Sequence, residues 1–387
     1  MLLGTELLDE LTSAVPSAGA PAIQETFATS YAATAGVLLL IPALVALLLE
    51  PIIFLAADRW PRRHFVRGGL CAMALSALAS ALAPGPITLA LAVGLVAVSS
   101  GTAVALSQAT LIDLHPQARE RIMTRWALMG ELGDLVGPLL LAGLAAVGLG
   151  WRAGYAVVAA LLAVWALASL RPFPQPPGGV SAEPEADEPS PGLFASLLVA
   201  LRDRRLLFWL GAAAFCDLLD EVLVVFASLH LRDRLGAGPT ERAVALTLGT
   251  VGAAAGVLYA ERLLARHAPM KVLAGFAGAC LATYFLWLAA PTWWLSALGL
   301  FFVGATASPL YPITAAQAYA ALPGRSGTVN AAGHLFTPLA MALPWVLGRL
   351  ADRAGTLAAL LVLAAEPLVL FAVALAMGRN PRRFDDR

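Results

Sequence analysis

The sequence predicts an all-α polytopic membrane protein, with twelve transmembrane helices arranged as two six-helix pseudo-repeats. The chain of 387 residues is 59% hydrophobic and 13% charged, whereas about a quarter of the residues in a soluble domain are charged. Apolar runs long enough to cross a bilayer, which takes about 20 residues, alternate with short arginine-rich breaks. The acidic segment ELLDE at residues 6–10 also recurs 211 positions later, as DLLDE at residues 217–221.

The apolar runs define the twelve spans in chain order. The first run is the weakest, because it carries three acids and two prolines, and it is accepted because its repeat partner in the second half is strongly apolar. Fewer apolar residues precede Glu6 than precede Asp217, which predicts that the start at Met1 truncates the first helix by a turn or two. The predicted spans are residues 2–24, 31–57, 65–84, 86–112, 121–147, 151–170, 207–230, 243–264, 270–289, 293–320, 327–349 and 356–377.

A polar segment separates the two halves of the chain. Its first part is rich in proline, glycine and acids and is expected to be disordered or extended. Its last part, residues 192–205, has the pattern of a short amphipathic helix on the membrane surface. The predicted domains are an N-terminal six-helix bundle at 1–170, a cytoplasmic linker at 171–206, a C-terminal six-helix bundle at 207–377 and a cytoplasmic tail at 378–387.

The basic residues of the loops predict the orientation in the membrane, because cytoplasmic loops carry an excess of arginine and lysine. If the amino terminus is cytoplasmic, the cytoplasmic segments hold 18 of the 25 basic residues and the outer loops hold six. Arg125 is left inside a span. The chain is therefore predicted to be a multi-pass protein of the plasma (inner) membrane with both termini in the cytoplasm.

Composition and motifs exclude several function classes. The net charge is zero, so no basic surface is available for nucleic acid. The three cysteines lie in apolar runs without a CxxC pair, so neither a disulfide framework nor a zinc site is expected. The chain has no GxxxxGK[ST] motif for direct use of ATP. We expect no enzyme activity, no cofactor, no metal site and a monomer in the lipid bilayer.

The two acidic segments predict the chemistry of the protein. Residues i, i+3 and i+4 of a helix share one face, so each segment places three carboxylates on one stripe. Carboxylates that lie close together in a dry site cannot all be ionised, so protons or a cation must neutralise them. A proton and a cationic substrate would compete for such a site. The candidate residues are the central acids Asp9 and Asp220, followed by Glu10, Glu221, Glu6 and Asp217.

Other ionisable residues of the spans extend the candidate site. Glu50, which precedes a proline in the second span, either transfers protons, bends the helix or makes a structural pair. Asp134 in the fifth span matches His334 in the eleventh, and His334 either carries protons in the physiological range or packs as a hydrogen-bonded histidine. Arg125 either neutralises an acid from another helix or binds an anionic group of the substrate. The sequence suggests no role for Glu366.

The loop between spans two and three carries a resemblance to a known family. Its sequence ADRWPRR, at residues 57–63, resembles the signature G-x-x-x-D-R-x-G-R-R of the major facilitator superfamily, with Phe54 and Pro61 in place of the two glycines. The resemblance covers the whole chain and implies a secondary transporter of a small-molecule substrate that works by alternating access. It implies a gating role for Asp58, Arg62 and Arg63.

The fifth span adds a weaker resemblance within the same family. Its glycines at 130, 133, 137 and 143, together with Pro138, partly match the antiporter signature, although Ala142 replaces the first of the paired glycines. Glycines at this spacing permit close helix approach. The first hypothesis is therefore proton-coupled antiport, that is, efflux of a cationic or amphipathic small molecule with protons as the coupling ion.

Other hypotheses remain open at this point. A symporter or facilitator for a metabolite, lipid or anion would use the same fold, and a divalent-metal exporter is a smaller branch of it. An intramembrane aspartyl hydrolase could use Asp9 and Asp220 as a dyad that shares a proton, but the symmetric twelve-span layout gives it no support. A membrane receptor without transport activity is the remaining class.

Overall fold

The computed structural model of the protein describes residues 1–30, 33–34, 36–174, 193–217, 219 and 222–379. Asp220 and Glu221 lie outside the described residues, as do residues 175–192 of the predicted linker and residues 380–387 of the predicted tail. The side chain of Asp217 is also outside them, although its backbone ends a helix. The roles of these three acids stay predictions.

The described part of the chain is helical and contains no strand, which confirms the all-α fold. A π-helical turn at Gly36–Leu40 leads into the second helix, and a 3-10 turn at His334–Phe336 joins two others. The α-helices are α1 Leu2–Phe27, α2 Ile41–Ala57, α3 Arg62–Ala81, α4 Pro86–Leu114, α5 Arg119–Ala146, α6 Trp151–Ala168, α7 Leu193–Ala200, α8 Arg204–Asp217, α9 Leu223–Leu235, α10 Pro239–Leu264, α11 Pro269–Leu288, α12 Trp293–Ala307, α13 Leu310–Ala321, α14 Ser326–Gly333, α15 Thr337–Ala354, α16 Thr356–Leu363 and α17 Ala365–Arg379.

The helices coincide with the predicted spans. Within the described residues, ten helical segments are long and apolar enough to cross a membrane, and they match ten of the twelve predictions. The other two positions are occupied by α1, whose acids lower its hydropathy, and by the pair α8 and α9. Helix α7 falls within the amphipathic stretch predicted for the linker.

Three predicted spans are interrupted where the sequence places proline beside a polar residue. Span ten breaks between α12 and α13, at Ser308 and Pro309. Span eleven breaks at the 3-10 turn of His334–Phe336, just before Pro338, and span twelve breaks before Glu366. Proline has no N–H and cannot continue the helical hydrogen-bond ladder. Each break therefore exposes backbone groups that need other partners.

The chain forms two compact units. Unit 1 contains residues 1–116, 132–202 and 322–334, and unit 2 contains residues 117–131, 203–321 and 335–387. Each unit thus takes residues from both sides of the linker. The six-plus-six division of domains remains a prediction based on the sequence repeat.

Small residues allow the helices of unit 2 to approach one another closely. Helix α10 packs along α12, and Gly252 and Gly256 of α10 face the backbone of Phe301 and Ala305 in α12. A Cβ atom added at either glycine would overlap the carbonyl group opposite it. In a bilayer, where lipid chains compete equally for apolar surface, such close backbone packing is a main source of helix association.

We expect the substitution Gly252→Ala to destabilise the protein, because the added methyl group meets the rigid Phe301 carbonyl. Overpacking of this kind costs about 1–3 kcal/mol, which lowers the melting temperature by several degrees in a thermal-unfolding scan of the purified protein in detergent. Gly143→Ala is the control, because a Cβ atom at Gly143 meets nothing within 4 Å. Equal melting temperatures for the two variants would contradict this packing.

Candidate functional site

The acidic stripe of α1 lies in unit 1, where α1 packs against α4. Asp9 accepts a hydrogen bond of 2.5 Å from the hydroxyl of Ser100 in α4. Its carboxylate also interacts electrostatically with Glu50 of α2. Glu6, one turn earlier on α1, is half-buried. The structure thus brings Asp9 together with Glu50, which the sequence proposed separately.

Glu10, the next residue of α1, meets the fifth span. Its carboxyl group shares a hydrogen bond with Asp134 of α5. Gly133 makes this approach possible, because a Cβ atom there would overlap the Cβ atom of Glu10. Gly137 likewise allows Ala14 to lie close to α5. A hydrogen bond between two carboxyl groups needs a proton on one of them. The carboxyl groups of Glu10 and Asp134 therefore lie side by side in unit 1.

Glu50 pairs with His334, a contact between two predicted site residues that the sequence did not connect. The Glu50 Oε2 and His334 Nε2 atoms are 3.2 Å apart, and both side chains are largely buried. Gly101 leaves the space for the Glu50 carboxyl group, and the ring of Phe54 lies 5.6 Å from the imidazole. The pair is an ion pair only when the histidine is protonated. This contact lies within unit 1 and joins α2 to the 3-10 turn of span eleven.

Asp58, the acid of the signature loop, binds the start of α14. Its carboxylate accepts hydrogen bonds from the backbone N–H of Gly327 at 2.9 Å and from the N–H and hydroxyl of Thr328, both at 2.7 Å. The first N–H groups of a helix have no partner within the helix, and an anion there is favoured by the helix dipole. Asp58 therefore ties the loop of the first sequence half to a helix of the second half.

Arg62 connects Asp58 to a residue that the sequence analysis missed. Its guanidinium lies 2.6 Å from Asp113 and 3.3 Å from Asp58. Asp113 also accepts a hydrogen bond of 2.8 Å from Ser326 at the start of α14. The sequence did contain a signal for Asp113, because it is an isolated acid at the end of an apolar span. Arg63, also assigned to the gate by resemblance, is exposed and donates to His64 at 3.4 Å.

Unit 2 contains a second arrangement of the same kind around Glu261, at the end of α10. Arg125 donates to Glu261 at 2.7 Å, and Arg121 lies 3.6 Å from the same carboxylate oxygen. Of the two roles predicted for Arg125, the structure supports the neutralisation of an acid from another helix. Glu120 of the same α5 segment accepts a hydrogen bond of 2.8 Å from Gln317.

Two other buried acids of unit 2 accept hydrogen bonds from residues outside their own helices. Glu131 accepts a hydrogen bond of 2.5 Å from Ser308, at the interruption of span ten. Glu366, which had no role in the sequence analysis, accepts the N–H of Leu219 at 3.0 Å. Leu219 lies between α8 and α9 and is π-helical. Each of these carboxylates therefore satisfies a polar group from another segment of unit 2.

Comparisons with known proteins agree on the family and the fold. The family described as Major Facilitator Superfamily matches residues 5–343. The comparison with curated proteins gave no significant match. Among solved structures, similar chains include the fucose:proton symporter FucP from E. coli, with a TM-score of 0.78 and 17% identity over 97% of each chain.

Two further solved structures share this fold. The proton:xylose symporter XylE has a TM-score of 0.75 and 14% identity, over 98% of this chain and 94% of that one. The human organic anion transporter MFSD10 has a TM-score of 0.69 and 18% identity, over 96% of this chain and 97% of that one. At such low identity the likeness concerns the fold.

We expect Asp58→Ala to free the start of α14, because the N–H groups of Gly327 and Thr328 lose their carboxylate partner. Hydrogen bonds to a charged group contribute about 1.5–3 kcal/mol, so amide hydrogen exchange at these two positions should accelerate about tenfold or more. The measurement is hydrogen–deuterium exchange of the purified protein.

Asp203→Ala provides the matched control for this measurement. Asp203 accepts the N–H groups of Arg205 and Leu206 at the start of α8. Its removal should accelerate exchange at 205 and 206 and leave 327 and 328 unchanged. Unchanged exchange at Gly327 and Thr328 in the Asp58 variant would show that the carboxylate does not hold this helix end.

Proposed function

Because the chain belongs to the major facilitator superfamily, we propose that it is a secondary active transporter that couples proton movement to the efflux of a cationic or amphipathic small molecule. The family and the fold establish a multi-pass membrane transporter of the alternating-access type. The direction of transport, the coupling ion and the charge of the substrate are the proposed parts. They rest on the acids of unit 1 and on the position of Arg125.

The observation that carries the proposal is the set of partners around the acids. Asp9, Glu50 and Asp134 are paired with a hydroxyl, an imidazole and another carboxyl group. Within the described residues, none of the three has an arginine or lysine as a partner. Arg125, which could have served an anionic substrate, is held by Glu261 in unit 2. The acid cluster therefore favours protons and cations over anions.

Exchange of substrate for protons follows because both compete for the carboxyl groups of Asp9, Glu50 and Asp134. When a cationic substrate binds, the carboxylates are most favourable as anions, so the protons they hold are released. When the substrate leaves, protons return, because several adjacent carboxylates cannot stay ionised together at low dielectric. Asp220 and Glu221, the repeat-related acids, are proposed to contribute in the same way from the second half.

The Glu50–His334 pair offers a way to link protonation to conformation. His334 lies in the 3-10 turn that interrupts span eleven, and the chain passes from unit 1 to unit 2 immediately after it. A protonated imidazole attracts the Glu50 carboxylate, whereas a neutral one does so only through a hydrogen bond. Protonation is thus proposed to stabilise the conformation in which α2 and span eleven meet.

The two loop arrangements are the proposed gates of alternating access. Asp58 with Arg62, and Glu261 with Arg125, each tie the end of one span to the start of another in the other sequence half. The predicted orientation places both on the cytoplasmic side of the plasma (inner) membrane, with both termini in the cytoplasm. Breaking these contacts would open the cytoplasmic side of the transporter. One chain contains both contacts, so a monomer would suffice for alternating access.

Proton-coupled symport of a neutral metabolite is the second candidate. The fold likeness to the fucose:proton symporter FucP and the proton:xylose symporter XylE favours it. The Glu50–His334 pair could bind and release a proton without any cationic substrate. The two candidates differ in the direction in which protons move when substrate is added.

The test uses purified protein in liposomes that contain a pH-sensitive dye. Addition of an organic cation outside should raise the internal pH, because the cation enters while protons leave. A neutral sugar taken up by symport would lower the internal pH instead. If no organic cation changes the internal pH and a neutral metabolite lowers it, the antiport proposal is wrong and symport takes its place.

Within this assay we expect Asp9→Asn to reduce cation-driven proton movement to the level of protein-free liposomes, because the amide cannot exchange a proton. Asp220→Asn should have the same effect if the sequence repeat reflects a shared site. Asp233→Asn is the control, because Asp233 is an exposed acid that pairs with its neighbour Arg232. Antiport at wild-type rate in the Asp9 variant would remove Asp9 from the mechanism.

A charge exchange tests the proposed gate in unit 2. We expect Arg125→Glu or Glu261→Arg alone to change the transport rate about fivefold, in line with an ion pair worth up to ~1 kcal/mol. The double variant should return toward the wild-type rate, because the pair is restored with reversed polarity. If Arg125 instead binds the substrate, the double variant stays as impaired as Arg125→Glu alone.

A further inference from the structure

Unit 2 contains a groove that the proposed transport mechanism does not use. It lies among α10, α11 and α12 and has a volume of about 620 Å³, which is within the range of pockets that hold small ligands. Its walls include the aromatic side chains of Tyr259, Phe276 and Phe302. We refer to it below as the α10–α12 groove.

The shape of the groove follows from residue spacing on two helices. Ala255, Tyr259 and Leu263 line it at intervals of four residues on α10, and Gly275 and Ala279 do so on α11. Residues four apart lie one above the other on a helix face. The small residues form a recess, and Gly275 is open, because a Cβ atom there would meet nothing within 4 Å. The lined stretch on each helix is about 12 Å long.

One end of the groove is polar and positively charged. His267 and Lys271, both exposed, line this end beside the connection between α10 and α11. Lys271 is the one lysine of the chain, and residues 262–271 contain two arginines and no acid. The acid just before them, Glu261, is engaged by Arg121 and Arg125. No acidic residue occurs from 272 to 351 either, so α11 and α12 themselves supply no negative charge.

We propose that the α10–α12 groove binds one anionic phospholipid, with its phosphate against Lys271 and His267 and an acyl chain along the apolar recess. Three features of the groove match such a ligand. The recess runs along membrane-spanning helices, its walls are apolar and aromatic, and its positive charge is confined to the helix ends, where a headgroup lies. The two arginines of the same connection add attraction for an anionic headgroup.

This inference is independent of the proposed transport function. The groove residues belong to unit 2 and are distinct from Asp9, Glu50 and His334. A lipid held there would link α10, α11 and α12 and stabilise them against separation, since a ligand that binds only the folded protein raises its stability. Bound lipid would therefore be detectable without any knowledge of the substrate.

The experiment is native mass spectrometry of the delipidated protein, titrated with phosphatidylglycerol or phosphatidylcholine of the same acyl chains. We expect one phosphatidylglycerol to bind about fivefold or more tightly than phosphatidylcholine. Lys271→Ala should lose this preference, since one basic residue near an anionic lipid accounts for about a fivefold factor. Arg353→Ala, an exposed basic residue elsewhere in unit 2, should keep it.

A second variant tests the recess and not the charge. Gly275→Leu fills the groove without a clash and replaces glycine by a better helix former, so the variant should fold. It should lose tight binding of both lipids, with a melting temperature in lipid-free detergent no lower than that of the wild type. Equal affinity of the wild type for the two lipids, or retained phosphatidylglycerol binding in Lys271→Ala and Gly275→Leu, would overturn the proposal. A dimer that Gly275→Leu dissociates would assign the groove to a second copy of the chain and would also overturn it.

Discussion

In the hydrocarbon region of a bilayer no water is available, so every backbone N–H and carbonyl group must find its partner inside the protein. This constraint explains why the described chain is helical and why its interruptions are not random. Carboxylates of other helices also accept backbone N–H groups, both at a helix start and between two helices. Glu366 accepts the N–H of Leu219, and Asp58 accepts those of Gly327 and Thr328.

The acids of the candidate site fall into two groups according to their partners. A carboxylate that accepts backbone N–H groups is stabilised as an anion, and its role is to hold two helices together. Asp58 and Glu366 belong to this group. Asp9, Asp134 and Glu50 have partners that are themselves hydroxyl, carboxyl or imidazole groups. The proposed proton coupling relies on this second group.

The loop contacts repeat across the two sequence halves with different chemistry. In unit 1 the acid Asp58 is satisfied by Arg62 and by the amides of a helix end, whereas in unit 2 Glu261 is satisfied by two arginines, Arg121 and Arg125. Both acids thus connect the end of one span to the start of another. Backbone N–H groups at a helix end are present whatever the sequence, so a contact like that of Asp58 requires only the acid.

The sequence by itself determined the class, the positions of the spans, the repeated acids and the signature loop, because length, hydropathy and short motifs are local properties. It did not reveal that Asp113 pairs with Arg62, that His334 meets Glu50, or that Arg125 is held by Glu261 across 136 positions. These contacts were decided by tertiary structure. Side chains on a membrane helix can face lipid, a neighbouring helix or a cavity, and only the packing of distant helices selects among them.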